Sequence, residues 1–183
     1  MSGPLRIREE TQADRAAVRS VALSAFDSEP VVADLLDALR ESPRWVPALS
    51  LVAEQDDEVV GQVAFTRGWV DAPRRLLDVL VLSPLSVRPD RQRTGVGSAL
   101  VTRALSLAEE RGDPLVFLEG DPGYYVRFGF DPAVAHDFTR PSTRIPDPAF
   151  QVLRLATYES WMRGALVYPD VFWAFDCVGL REP

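Results

Sequence analysis

Apolar residues recur along this chain with two periods, two and about 3.6, and the changes between them mark out its elements. Leu5-Arg6-Ile7-Arg8 alternates and predicts a short first strand. From Thr11 the period lengthens, and Val18, Val21, Ala22, Ala25 and Phe26 share one face of a helix. Thr11 reads as its N-cap, with Asp14 three residues on in a near capping box. Ser28-Glu29-Pro30 breaks the pattern, and a second helix over Val31–Arg40 carries Val32, Leu35, Leu36 and Leu39 on one side. Pro43 and Pro47 bracket an irregular stretch around Trp45.

Period two then returns. Leu49–Glu54 and Val59–Trp69 predict a hairpin about the polar turn Gln55-Asp56-Asp57-Glu58. After the turn Asp71-Ala72-Pro73-Arg74 comes the long apolar strand Leu76–Val87. Pro84 inside it predicts an edge or a bulge, because proline donates nothing to a ladder. Ser98–Arg111 is amphipathic, with Leu100, Val101, Ala104, Leu107 and Ala108 on the buried face, and Gly112-Asp113-Pro114 stops it. Leu115–Leu118 is a short buried strand, parallel to the Leu76 strand if the three elements form one strand–helix–strand unit. Asp121-Pro122-Gly123 opens a turn or short helix through Arg127. Residues 131–149, rich in proline and polar groups, predict a long loop, and Phe150–Ala156 and Gly164–Tyr168 predict two further strands. There is no repeat and no linker, so one domain over 1–183 is expected.

Composition narrows the chemistry. The chain has 20 basic residues against 27 acidic, a net charge of −7, with no broad basic face. Nucleic acid is therefore not an expected partner, and a cationic substrate is favoured. No apolar run approaches the roughly 20 residues that span a bilayer, and Met1–Arg6 lacks the apolar core of a signal peptide. With Cys177 as the only cysteine, no intrachain disulfide is possible, and a cytoplasmic location is expected. The chain contains no lysine, which excludes a Walker A loop and a Schiff-base lysine. His136 is the only histidine, so there is no HExxH; no GxSxG occurs, and no metal is expected.

What remains is Gln92-Arg93-Thr94-Gly95-Val96-Gly97, between the Leu76 strand and the Ser98 helix. A glycine-containing turn at a helix N-terminus offers unpaired amides and a positive dipole end to a phosphate. The dinucleotide fingerprint fits poorly, because Leu100 stands where its third glycine belongs and a hairpin precedes the turn.

Val87-Arg88-Pro89 followed by Gln92-x-x-Gly95-x-Gly97 resembles motif A of the GNAT superfamily, the GCN5-related acetyltransferases. Tyr124-Tyr125-Val126-Arg127-Phe128-Gly129-Phe130 resembles the signature after that superfamily's fifth strand, in the right order. Gly120-Asp121-Pro122-Gly123 before it, and Gly164–Pro169 later, are similar to a compact bacterial subfamily. The resemblance implies an α/β fold of GNAT type: a mixed, mainly antiparallel sheet with a central splayed parallel pair and flanking helices. It implies an N-acetyltransferase moving an acetyl group from acetyl-CoA directly to a primary amine of a small molecule or protein. The alternative is a non-catalytic CoA- or acyl-CoA-binding module of the same fold. The partners implied are an amine acceptor, no membrane, and optionally a second copy of the chain as a homodimer.

Carried onto this chain, the resemblance implies that the amides of Arg93, Thr94, Gly95, Val96, Gly97 and Ser98 cradle the CoA pyrophosphate. Arg88, Arg91 and Arg93 are candidates for its charge, and the pantetheine arm would run along Leu85-Ser86-Val87. Tyr125 aligns with the general acid that protonates the leaving thiolate. Tyr124 and Arg127 are cofactor contacts or, alternatively, a packed aromatic and a turn cap. Glu119, acting directly or through water, is the first choice of general base, with Asp78, Asp121 and His136 as alternatives; a raised pH of operation or a water chain in place of a dedicated base is the other option. Phe26, Trp45, Trp69, Trp161 and Trp173 are candidates for the acceptor wall, and Glu29, Asp34 and Asp37 for attracting a cationic amine.

Overall fold

β1 (Arg6–Glu9) pairs antiparallel with β2 (Leu51–Gln55), which pairs antiparallel with the first part of β3 (Glu58–Asp71). This is a computed structural model that describes residues 3–180; the opening two residues and 181–183, over which the domain and signal-peptide expectations extend, lie outside it. The described chain divides into two compact units. One holds the described residues up to Phe65 together with Ser83–Ala108, and the other holds Thr66–Leu82 and those from Glu109 onward.

In the first unit α1 (Arg15–Ala25) and α2 (Pro30–Glu41) follow β1. A short 3-10 turn, Gln12–Asp14, precedes α1, and the capping box between Thr11 and Asp14 is present. Proline takes the first turn of α2, where its missing N–H costs nothing. Arg8 on β1 joins the layers: it bonds Asp14 at 2.7 Å and Glu54 of β2 at 2.7 Å. The Arg8 guanidinium holds the Asp14 carboxyl well below the usual carboxylate range. Val18, Leu36, Val52 and Ala64 form a buried cluster, with Trp45 and Val59 packed on it.

α3 (Val96–Glu110) packs on the other face of β3. A Cβ built on Gly61 would point at Val96 Cγ1 and Leu100 Cδ1, whereas Ala64 joins the α1–α2 cluster. Gly61 and Ala64 have opposite parity along a regular strand, so the two helix groups lie on opposite faces.

In the second unit β5 (Leu115–Glu119) lies parallel to β4 (Leu76–Val87) and antiparallel to β8 (Phe150–Arg154). The two ladders differ in length: β5 keeps register with β8 from Leu115 to Glu119, but with β4 only at Val116 and Phe117. The Ser83–Pro84 peptide in β4 is cis. Phe117 is flanked by Phe138 and Phe150, with centroids 5.0 and 5.8 Å away. α4 (Pro122–Tyr125) follows β5. The strands make a mixed, mainly antiparallel sheet with β4 and β5 as a parallel pair, flanked by helices, as expected.

Residues 131–149 are more ordered than a loop. They contain β6 (Asp131–Pro132), which pairs with β8, a 3-10 turn, and β7 (Phe138–Thr139). β7 runs parallel to β9 (Gly164–Val167), which pairs antiparallel with Trp69–Asp71 of β3. These two-residue strands are too short to show a period. α5 (Asp170–Ala174) was also not anticipated. Among the described residues no helix is long and apolar enough to cross a membrane.

Candidate active site

The glycine turn is exposed from Gln92 to Gly95 and leads straight into α3. Arg93 and Gly95 take left-handed conformations, φ 61° and 96°. A Cβ at Gly95 would meet no protein atom within 4 Å, so its backbone angle, not crowding, demands glycine there. Gln92 reaches back to the end of β4 through its Nε2, which donates to Val87 O at 3.1 Å. The Thr94 hydroxyl closes the turn onto Arg91 O at 2.6 Å. The Ala99 N–H donates to Gly95 O at 2.9 Å, which leaves the amides of Val96, Gly97 and Ser98 at the helix end. An exposed turn at the positive dipole end of a helix fits a pyrophosphate.

The three arginines are not equivalent. Arg88 is held by Asp90 at 2.6 Å and by Glu58 at 2.7 Å, and Arg91 is held by Asp90 at 2.8 Å. Arg93 is exposed on the loop itself. On β4, Leu85 and Val87 are half-buried, while the Ser86 side chain is buried on the opposite face. There Gln62 Nε2 donates to Ser86 Oγ at 3.0 Å and to Pro84 O at 3.4 Å. Gln62, fully buried, thus braces the Pro84–Ser86 backbone. Its one sequence signal was a lone amide inside the apolar run Val59–Phe65.

The tyrosine signature occupies the second unit. Asp121 caps α4, accepting the Gly123 N–H at 2.8 Å, which settles its role as a cap. Tyr125 closes α4 and is packed among Tyr124, Phe128 and Phe130, at centroid distances of 4.9, 6.4 and 5.8 Å. A Cβ on Gly120 would lie 2.5 Å from Tyr125 Cε2, so glycine at the end of the strand makes room for that ring. Burial pushes the Tyr125 phenol up from its ordinary value, with Tyr124 adding to the effect, so the hydroxyl keeps its proton across the physiological range. Arg127 donates to Tyr124 O at 2.9 Å and stacks over the Tyr124 ring at 4.8 Å, the capping arrangement.

Glu119, last in β5, is half-buried. Desolvation raises its carboxyl above the ordinary value, against the Tyr168 hydroxyl, the Gly179 N–H and the Arg144 charge, which favour ionisation. His136 instead sits on the surface, 3.2 Å from Asp131.

The other acceptor-side candidates scatter. Asp34 and Asp37 are paired with Arg19, each at 2.6 Å, so neither is a free counter-charge. Trp45 packs on the α1–α2 cluster, and Trp161 lies beneath Arg74 and Arg75 at 5.2 and 5.6 Å. Trp173 is 45% exposed and Phe26 37% exposed.

A parallel strand pair, an open glycine turn into a long helix and a half-buried tyrosine after the next strand are the parts of an acyl-CoA-type acyltransferase. The chain matches the Acetyltransferase (GNAT) domain family over residues 6–133 and belongs to the GNAT acetyltransferase family. It is 35% identical to the uncharacterized N-acetyltransferase YhbS of Escherichia coli K12 over 82% of this chain and 87% of YhbS. The solved structure of E. coli YhbS, in complex with CoA, superposes with a TM-score of 0.81 at 32% identity, covering 92% and 91% of the two chains. The uncharacterized N-acetyltransferase YjhQ of E. coli K12 is 35% identical over 66% of each chain. A GNAT family acetyltransferase from Brucella melitensis, solved in complex with acetyl-CoA, has a TM-score of 0.74 at 30% identity, over 92% of this chain and 98% of that one.

Proposed function

We propose that this chain transfers an acetyl group from acetyl-CoA directly to a primary amine of a small molecule or protein. The observation that carries the reading is the open glycine turn at the N-terminus of α3, with Arg93 and Gly95 left-handed and exposed. Support comes from relatives solved with CoA and with acetyl-CoA.

Bound acetyl-CoA supplies the activated thioester. The amides of Arg93 through Ser98 hold its pyrophosphate, and Arg93 adds the exposed positive charge on that loop. The backbone of Leu85-Ser86-Val87, braced by Gln62, hydrogen-bonds the pantetheine arm as an added strand would. Glu119 takes the proton that the attacking amine must lose, and Tyr125 gives one to the departing sulfur. Tyr124 and Arg127 pack beside Tyr125, and we assign them to the donor contacts on the family resemblance. We read 1–183 as one domain acting in the bacterial cytoplasm, with dimer formation to be measured by light scattering.

Titration calorimetry with CoA, NAD and ATP tests the ligand class. The reading expects saturable binding of CoA alone. Binding of NAD or ATP in preference to CoA would sink it.

A further inference from the structure

Beyond α5 the chain turns back to cover the end of β5. The Gly179 N–H donates to Glu119 Oε2 at 3.0 Å, and the Tyr168 hydroxyl donates to the same carboxylate. Tyr168, 4% exposed, rests on the Phe172 ring with centroids 5.1 Å apart. The segment Asp176–Leu180 is tied down along its length. The Cys177 N–H donates to Phe172 O at 2.8 Å, Val178 is fully buried, and the Leu180 N–H donates to Arg144 O at 3.4 Å. Gly179 has φ +63°, and a Cβ there would stand 2.7 Å from the Arg144 carbonyl carbon and 2.8 Å from its Cβ. No other residue fits this strap without lifting it.

We propose that Tyr168 and this strap are the mount of Glu119: positioning residues that hold one carboxylate direction and shield it from water. The inference rests on the reading of Glu119 as the base. None of these strap residues belongs to the glycine turn or the tyrosine signature that mark the site in sequence. The strap supplies both a hydrogen bond and the exclusion of water, and these act in opposite senses. Desolvation, the largest influence on Glu119, favours the protonated form, whereas the Tyr168 hydroxyl, the Gly179 N–H and the Arg144 guanidinium favour the charged form. The remaining titratable neighbours are Cys177 on the strap, whose thiol is pushed up by burial, then by Asp176 and Glu119, and Asp176, 3.4 Å from Arg144.

The two parts of the mount therefore predict opposite shifts. Tyr168→Phe keeps the ring packing and deletes one donor, so Glu119 should titrate about one pH unit higher. Gly179→Ala lifts the strap and admits water, so Glu119 should move down towards an ordinary glutamate. The experiment is carboxyl-carbon NMR of the full chain carrying 13C-labelled glutamate, with Glu119→Gln to assign the resonance and thermal melts to confirm folding. The rising limb of the pH–rate profile should follow the same shifts. A Glu119 midpoint unmoved in either variant overturns the mount and leaves the base reading standing. Turnover unaffected by Glu119→Gln overturns the base reading, whatever the midpoints do.

Discussion

Gly61→Ala tests how the glycine turn is held at its working height. The added methyl would stand 2.9 Å from Val96 Cγ1, 3.1 Å from Leu100 Cδ1 and 3.3 Å from Ser86 O. Carbon pairs rest at about 3.5–4.0 Å; Leu100 can swing its terminal methyl aside, but Val96 is stiff at χ1, so the expected relief is a rise of the first turn of α3 by roughly half an ångström. The Ser86 oxygen is backbone on a strand braced by Gln62, so that side yields little. Overpacking of this kind costs about 1–3 kcal/mol. For a chain of this length that lowers Tm by roughly 2–12 °C. Displaced amides should also weaken CoA binding by about tenfold, since a 1 Å misplacement can cost about a hundredfold. The assay is a thermal melt beside a CoA titration. Val96→Ala in the same chain removes the opposing methyl, so the double variant should be more stable than the two single effects summed. An alanine variant with parental Tm and parental CoA affinity would refute the argument.

Gly97→Trp should abolish CoA binding by calorimetry without unfolding the chain; retained affinity would remove the turn from the donor site. Tyr125→Phe should lower kcat by about a hundredfold or more with little change in CoA affinity, and an unaltered rate would take Tyr125 out of the acid role. The Asp14 carboxyl is depressed chiefly by Arg8, so its stabilisation is complete above the unfolded pKa and is lost as pH falls towards the folded value. Asp14→Asn should therefore cost about 2–3 kcal/mol at pH 7 and much less near pH 2. Parallel Tm–pH curves for parent and variant would contradict this.

The elements around the glycine turn were legible because their signals are local. Leu76–Val87, the glycine turn and the helix after it differ in period and composition, and the structure keeps all three, with α3 beginning at Val96, two residues earlier than its apolar period showed. The capping box at Thr11 and the Asp121 cap were readable for the same reason. What escaped depends on distant partners. Gln62 is defined by its bonds to Ser86 and Pro84, more than 20 residues away. Tyr168 and Gly179 gain their meaning from Glu119, 60 residues before Gly179. Asp34 and Asp37 looked like free acidic groups because nothing in the spacing reveals that Arg19, on the preceding helix, reaches both.

Catalysed acetyl transfer is tested most directly by incubating the purified chain with acetyl-CoA and a panel of primary amines, small-molecule and peptide. Free thiol and the mass of each amine are followed together. Thiol release in step with a single acetyl addition to a subset of amines is expected, with loss of both signals in Gly97→Trp. Tight CoA binding with neither thiol release nor acetylated amine across the panel would contradict it and leave a CoA-binding module.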